Sequence, residues 1–324
     1  MRILLSIEDS TEELLQPKNT FITISKKGEI INEKNISFNY SLTDYIESDN
    51  GFYTINTLRV TMGKNFTHDF LGKYDEDWKL LWKKELSTHK YPAGNSFLYS
   101  YNKDSLVLLT DYSDKKDYGL SLQKFDKEGN LKSKIFNRKY NNPLTVTKTF
   151  DEQLLISTLD NEYDSLILLK KDFNNRITWE KSFDKNIFPK QIIQAKDSSF
   201  LIYGTEYEIN STKHLTVLKL DKLGGLIWKK TINKNYYEEA GNIIEYGNNF
   251  LFSSTITPIN DGGDFPYIFE LDQNGTLISD KKFNFYLGIS SVPYLINDSK
   301  TITMITQNWI GEFGDIFSRR NINK

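Results

Sequence analysis

One short segment recurs along this chain at nearly constant spacing, and that recurrence constrains the fold more than any single residue does. It reads Tyr74-Asp75-Glu76-Asp77-Trp78-Lys79-Leu80-Leu81-Trp82, then Phe125-Asp126-Lys127-Glu128-Gly129-Asn130-Leu131. It returns as Asp172-Phe173-Asn174-Asn175-Arg176-Ile177-Thr178-Trp179, as Leu220-Asp221-Lys222-Leu223-Gly224-Gly225-Leu226-Ile227-Trp228, and as Leu271-Asp272-Gln273-Asn274-Gly275-Thr276-Leu277-Ile278. A degenerate first copy is Ile24-Ser25-Lys26-Lys27-Gly28-Glu29-Ile30-Ile31. The anchors fall at 25, 75, 126, 172, 221 and 272, so successive gaps run from 46 to 51 residues.

The chemistry of the segment is that of a tight hairpin. An apolar run ends in Asp, whose carboxylate can accept from backbone two residues on. Gly or Asn three residues after it tolerates a left-handed conformation, and a second apolar run follows. This pattern predicts a type I turn with a bulge. A calcium loop would need further spaced carboxylates and a closing Glu, which are absent.

Upstream of each anchor lies an almost continuous apolar strand: Leu106–Leu109, Leu154–Ile156, Phe200–Tyr203 and Phe250–Phe252. Runs of that length suit strands covered on both faces. A further candidate precedes each, as in Leu144–Thr147, Gln191–Ile193 and Asn242–Ile244. Four strands, A to D, per fifty residues predict an all-β chain: a single β-propeller over residues 1–324 with about seven four-stranded blades. Residues 3–7 take the B position of the first copy, and Ile302–Ile305 with Asp315–Ser318 take B and C of the last. The first blade therefore lacks A and the last lacks D; six blades with an irregular end is the alternative. Ser10 and Glu13, with Pro17 as terminator, predict one helical turn in the first B–C loop.

Composition supports strands: the 324 residues include 19 Tyr and 21 Phe. A net charge of −2 with mixed signs lacks the basic stripe of a nucleic-acid binder. There is no Cys, so disulfides and thiolate metal sites are excluded. No run approaches a membrane span, and the apolar start Met1–Ile7 meets acid at Glu8 too soon for a signal peptide. Taken as given, the chain reads as soluble, monomeric and cytoplasmic.

The unit Ser199-Phe200-Leu201-Ile202-Tyr203-Gly204-Thr205, followed after a loop by Leu218 to Lys230, resembles the β-propeller repeats of Bacteroidetes surface and secreted proteins. More distantly, its Asp–Gly–Trp spacing is similar to the quinoprotein-type (PQQ-like) repeat. Only the fifth copy matches in full: Ser133 and Ser279 stand at the Trp position of copies three and six, and copy one lacks the Asp. The resemblance implies fold, not activity, and a secreted or cell-surface setting. The quinone enzymes' vicinal disulfide has no counterpart here.

No catalytic constellation stands out. His68, His89 and His214 share no metal-like spacing and fall in or beside expected loops. Asp261-Gly262-Gly263-Asp264 reads as a plain B–C loop. No metal site and no cofactor is expected. Lys83, Lys84, Lys181, Lys229, Lys230, Lys281 and Lys282 follow the D-strand Trp position and read as edge protection. An aromatic recurs 14 to 16 residues after each anchor, in the expected D–A loops: Tyr40, Tyr91, Tyr140, Phe188, Tyr237 and Tyr286. Such rings can bind a protein or glycan partner, or pack beneath their own loops. The reading is a non-enzymatic recognition propeller; the alternative is a polysaccharide hydrolase or lyase with carboxylates at the funnel.

Overall fold

The computed structural model describes residues 2–8, 17–24, 30–37, 41–60, 66–89, 95–102, 104–114, 117–160, 165–184, 186–207, 213–232, 236–258, 263–284, 287, 292–297, 302–309 and 315–322. Among these every regular element is a strand, arranged in seven antiparallel sheets. The helical turn expected at Ser10–Pro17 lies outside the described residues, save Pro17, which opens a strand.

The first sheet has three strands, β1 (Arg2–Glu8), β2 (Pro17–Ile24) and β3 (Ile30–Ser37). Five four-stranded sheets follow. They are β4 (Ser41–Ser48) to β7 (Leu80–His89), with β5 (Gly51–Val60) and β6 (Phe66–Tyr74) between; and β8 (Ser96–Asn102), β9 (Ser105–Asp114), β10 (Asp117–Asp126) and β11 (Leu131–Asn137). Next come β12 (Tyr140–Lys148), β13 (Leu154–Asp160), β14 (Ser165–Lys171) and β15 (Ile177–Asp184), then β16 (Ile187–Gln194), β17 (Phe200–Tyr207), β18 (Lys213–Leu220) and β19 (Leu226–Ile232). The sixth sheet holds β20 (Tyr236–Tyr246), β21 (Asn249–Pro258), β22 (Phe265–Leu271) and β23 (Leu277–Lys282). The last has β24 (Tyr294–Asn297), β25 (Ile302–Trp309) and β26 (Asp315–Ile322). The fold is thus all-β and propeller-like; among the described residues its first and last sheets have three strands each.

The chain forms two compact units. The first comprises Met1–Pro143 with Leu159–Asn161 and Phe173–Asn175; the second comprises Leu144–Thr158, Glu162–Asp172 and Arg176–Lys324. In the first, Tyr53, Ile55, Leu71, Leu98, Leu106, Leu108 and Phe125 make a core between the second and third sheets. In the second, the fifth and sixth sheets enclose Leu201, Tyr203, Val217, Phe252 and Phe269, with the Phe252 and Phe269 rings stacked 4.7 Å apart. In the fourth, fifth and sixth sheets the second and third strands are buried almost throughout, as their continuous apolar character requires.

The anchor turns take the expected form. Asp221 Oδ1 accepts from the N–H groups of Leu223 (2.7 Å) and Gly225 (2.9 Å), and Asp272 Oδ1 accepts from Asn274 and Thr276, both at 2.8 Å. The ladder slips by one residue beside each turn, for example between Lys219 and Leu220 and between Glu270 and Leu271. This is the bulge that a left-handed turn residue introduces. Gly129, Gly224 and Gly275 hold that position with φ of 76°, 81° and 80°. Asn175 and Trp78 take it in the other two described turns, at 69° and 59°. For an indole this is an unfavourable backbone region. Trp78 is held there by stacking on Phe52 at 4.2 Å with rings 8° apart.

Each turn glycine receives an indole from the sheet before it. A Cβ on Gly129 would lie 2.5 Å from the Trp82 ring, one on Gly224 2.9 Å from Trp179, and one on Gly275 3.0 Å from Trp228. Trp179 Nε1–H donates to Lys222 O (3.3 Å) and Trp228 Nε1–H to Gln273 O (3.0 Å). In both cases the acceptor is the residue after the turn Asp. The pattern is reciprocal in sequence: where the third residue of the preceding fourth strand is Asn32 or Ser133, the following turn carries Trp78 or Asn175 instead of Gly.

Trp228→Ala should lower stability by about 2–4 kcal/mol, the lower part of the large-aromatic range because the ring is half-buried. Gly275→Ala should cost about 1–2 kcal/mol from its positive φ and the ring contact together. Chemical denaturation of the two single variants and the double variant checks both. Strictly additive losses would mean that ring and glycine do not act as one unit.

Candidate functional site

The recurrent aromatics do not share one environment. Tyr40, Tyr91 and Tyr286 lie outside the described residues. Tyr140, Phe188 and Tyr237 lie at the very start of β12, β16 and β20, so they belong to first strands and not to the loops before them. The A strands simply begin earlier than their apolar centres indicate. Tyr140 is 1% exposed and is a packing ring. Phe188 and Tyr237 are 41% and 51% exposed.

Phe188 owes its position to a glycine. Gly204 pairs with Pro189, the next residue, across the ladder, and a Cβ there would come within 2.2 Å of Phe188 O. The bare backbone lets β16 press against β17 and bulge between Pro189 and Gln191. Phe188 then meets Tyr207 edge to face, with centroids 5.0 Å apart. Lys213, opening β18 opposite Tyr207, places its ammonium 5.3 Å from the Tyr207 ring and 3.5 Å from Glu239 on β20. Burial opposes the Lys213 charge, but the Tyr207 hydroxyl and Glu239 outweigh it and hold the ammonium above its usual range. Tyr237 stands two residues before Glu239 on the same strand, so both side chains point to the same side of the ladder. These residues form an aromatic and charged patch at one end of the fifth and sixth sheets.

The acids at this end are already engaged. Glu206 accepts from Lys229 Nζ (2.6 Å) and Thr216 Oγ1 (2.8 Å); burial works against its ionisation, yet these partners keep it below the usual carboxylate range. Glu238 is fully buried and its Oε2 accepts from the Leu215 N–H at 2.8 Å. Asp264 accepts from Thr257 Oγ1 at 2.5 Å; its loop partners Asp261 and Gly262 lie outside the described residues. Among the described residues no group of three or more His, Asp or Glu is placed to hold a metal ion. His68, His89 and His214 sit near the ends of β6, β7 and β18, beside loops.

A signal that the sequence did not reveal is a polar peg joining first strands. Gln191 Oε1 accepts from the Ile243 N–H (2.6 Å), and Asn242 Oδ1 accepts from Leu295 N–H (2.8 Å) while its Nδ2 donates to Leu295 O (2.9 Å). In the second sheet the same place, just after a bulge, is taken by Asp44, which accepts from Leu98 N–H at 2.7 Å. Among these three described pegs only Asp44 is ionisable. Burial raises Asp44 to about 6, against the lowering effect of the Leu98 and Tyr45 N–H donors.

No family model and no curated protein matches the chain. Solved structures do. A candidate 6-phosphogluconolactonase from Bacteroides fragilis is 15% identical and covers 99% of this chain and 97% of its own, with a TM-score of 0.55. A prolyl endopeptidase is 10% identical over 99% of this chain and 48% of its own, with a TM-score of 0.56. The β-propeller domain of the Trilobed protease from Pyrococcus furiosus, which has an open velcro topology, is 10% identical over 100% of this chain and 92% of its own, with a TM-score of 0.48. Identities this low show the fold alone. Among the described residues no helix is long and apolar enough to cross a membrane.

Asp44 generates a pH prediction. Its folded value of about 6 exceeds the 3.8 of an unperturbed Asp, so the folded chain binds more protons between those limits. Its contribution is therefore fully present below pH 4 and is lost as pH rises from about 4 to about 6. Asp44→Asn keeps the acceptor for the Leu98 N–H, gives up the one for the Tyr45 N–H, and should remove that slope, raising stability at pH 7 by on the order of 1 kcal/mol. Thermal melts across pH 4–8 on both proteins read this directly; parallel profiles would count against it.

Proposed function

We propose that this propeller acts by recognition, holding a protein or glycan partner on the loop face formed by Phe188, Tyr207, Tyr237 and the Lys213–Glu239 pair. The observation that carries this reading is the exposure of Phe188 and Tyr237 beside a fixed ion pair. Exposed rings held by a rigid sheet bind with little loss of side-chain freedom, and an adjacent ion pair supplies orientation. The resemblance of the Ser199–Lys230 unit to Bacteroidetes surface and secreted repeats supports the same role, with the partner met outside the cell. The acids around this face favour recognition over carboxylate chemistry: Glu206, Glu238 and Glu239 each serve a lysine or a backbone N–H.

The double variant Phe188→Ala/Tyr237→Ala tests it. Its melting temperature should stay within a few degrees of the parent, because both rings are largely outside the core. Its capture of partners, in a cross-linked pulldown and on a glycan microarray, should fall about tenfold or more, since hot-spot rings contribute above 1 kcal/mol each. Undiminished capture in both assays would overturn the proposal. The arm that loses signal identifies the partner as protein or glycan.

A further inference from the structure

A different feature stands in the first compact unit. The residue two before the anchor Asp is Lys in four successive copies, Lys73, Lys124, Lys170 and Lys219, and three of the four are buried. A buried ammonium is costly unless a carboxylate answers it. In the fourth and fifth sheets one does. Lys170 Nζ is 2.8 Å from Asp151 and Lys219 Nζ is 3.1 Å from Asp197, both acids supplied by the turn between the first two strands.

In the second sheet that turn is shorter. Between Gln194 and Phe200 it has five residues, but between the equivalent pair Glu47 and Phe52 it has four, and the strands close tightly at Ser48 and Gly51. The shortened loop withdraws the carboxylate. Lys73, 9% exposed, meets two neutral groups instead: the Ser48 hydroxyl and the face of Tyr53, whose centroid is 3.9 Å from Nζ. Among the described residues it has no ion pair. Burial first, and then the Lys127 charge, push its ammonium below the usual range, with Asp49 acting the other way.

This same lysine lines a cavity of about 550 Å³. Lys127 reaches it from the next anchor turn, and Ser48, Ser100 and Ser105 contribute hydroxyls. Ile46, Leu81 and Leu106 provide an apolar wall. Glu47 and Asp49 also border the cavity, but both are exposed, so water screens them. Lys127 is 40% exposed and 3.6 Å from Asp104, itself 87% exposed. The charge that counts most in the cavity is therefore the desolvated one, Lys73.

We propose that this cavity binds a small molecule with an anionic head, carboxylate or phosphate, and an apolar body. Lys73 is the principal counter-charge, Lys127 the second, and the Ile46, Leu81 and Leu106 wall takes the body. The ligand supplies to Lys73 the anion that Asp151 and Asp197 supply to its counterparts. The volume suits a compound of metabolite size.

The test uses the full chain and three probes: inorganic phosphate, hexanoate and the neutral isostere hexanamide, followed by two-dimensional amide NMR. Hexanoate or phosphate should shift the Asn50, Ser100 and Ser105 amides at millimolar concentration, and hexanamide should not. Lys73→Gln should weaken anion binding at least tenfold, Lys73→Arg should retain part of it, and Lys219→Gln should leave it unchanged while lowering stability. Lys127→Gln, a change at a part-exposed residue, tests the site without touching the core and should weaken binding several-fold. Failure of both anions to shift those amides, or equal shifts by hexanamide, would overturn the proposal. So would unaltered binding by Lys73→Gln and Lys127→Gln together. If only phosphate binds, the natural ligand is phosphorylated; if only hexanoate binds, it is a carboxylic acid.

Discussion

The contact on which this architecture depends is the indole laid over a glycine of the next sheet's turn. A sheet buried on both faces has no intrinsic reason to stop at four strands or to stack at one angle. The Trp228–Gly275 and Trp179–Gly224 contacts give it one: ring against bare backbone, with Nε1–H donating to the carbonyl after the turn Asp. The geometry is directional where hydrophobic burial is not, so it sets the spacing between sheets that burial then fills. One segment serves two neighbours. Its Asp and Gly shape a turn that receives a ring, and seven residues after the Asp its own Trp reaches onward.

That economy explains which departures from the repeat travel together. Gly129, Gly224 and Gly275 follow sheets that carry Trp82, Trp179 and Trp228. Without an incoming ring the turn needs no bare backbone, and it carries a side chain that fills the space itself. Phe173, buried next to Asn174 and Asn175, packs 4.7 Å from Tyr101, while Trp78 folds back on Phe52. The strained φ of Trp78 is offset by a stacked ring that a glycine would not have.

The fold was legible because its determinants are local and repeated. Turn chemistry at six anchors and apolar runs at fixed offsets identify strands without any knowledge of partners, and they place β1–β3 and β24–β26 as partial blades. Strand beginnings were not legible. Tyr140, Phe188 and Tyr237 look like loop residues, because the polar stretches around Asn141, Lys190 and Glu239 hide strands whose bulges interrupt the alternation. The fate of each ring was also hidden. Tyr140 is buried and Tyr237 exposed although they share a repeat position, since burial depends on what the adjoining sheet offers.

In a repeat protein the regular positions answer to stacking, so what distinguishes one blade from its neighbours is the better guide to chemistry. Three departures stand out on that criterion, and each has a physical cause. Asp44 replaces the amide pegs Gln191 and Asn242, which adds a titratable group where a neutral one suffices for the hydrogen bond. Phe188 and Tyr237 remain exposed where Tyr140 is covered. Lys73 keeps the buried ammonium of its counterparts but loses the carboxylate, because a turn one residue shorter cannot deliver it. The last of these is the most demanding energetically. A salt bridge lost at a surface costs little, but a desolvated cation left with a hydroxyl and a ring retains an unmet demand for negative charge. A stacking requirement alone would have been met by a neutral side chain on the Tyr53 ring, so the retained charge points to a ligand and not to the fold.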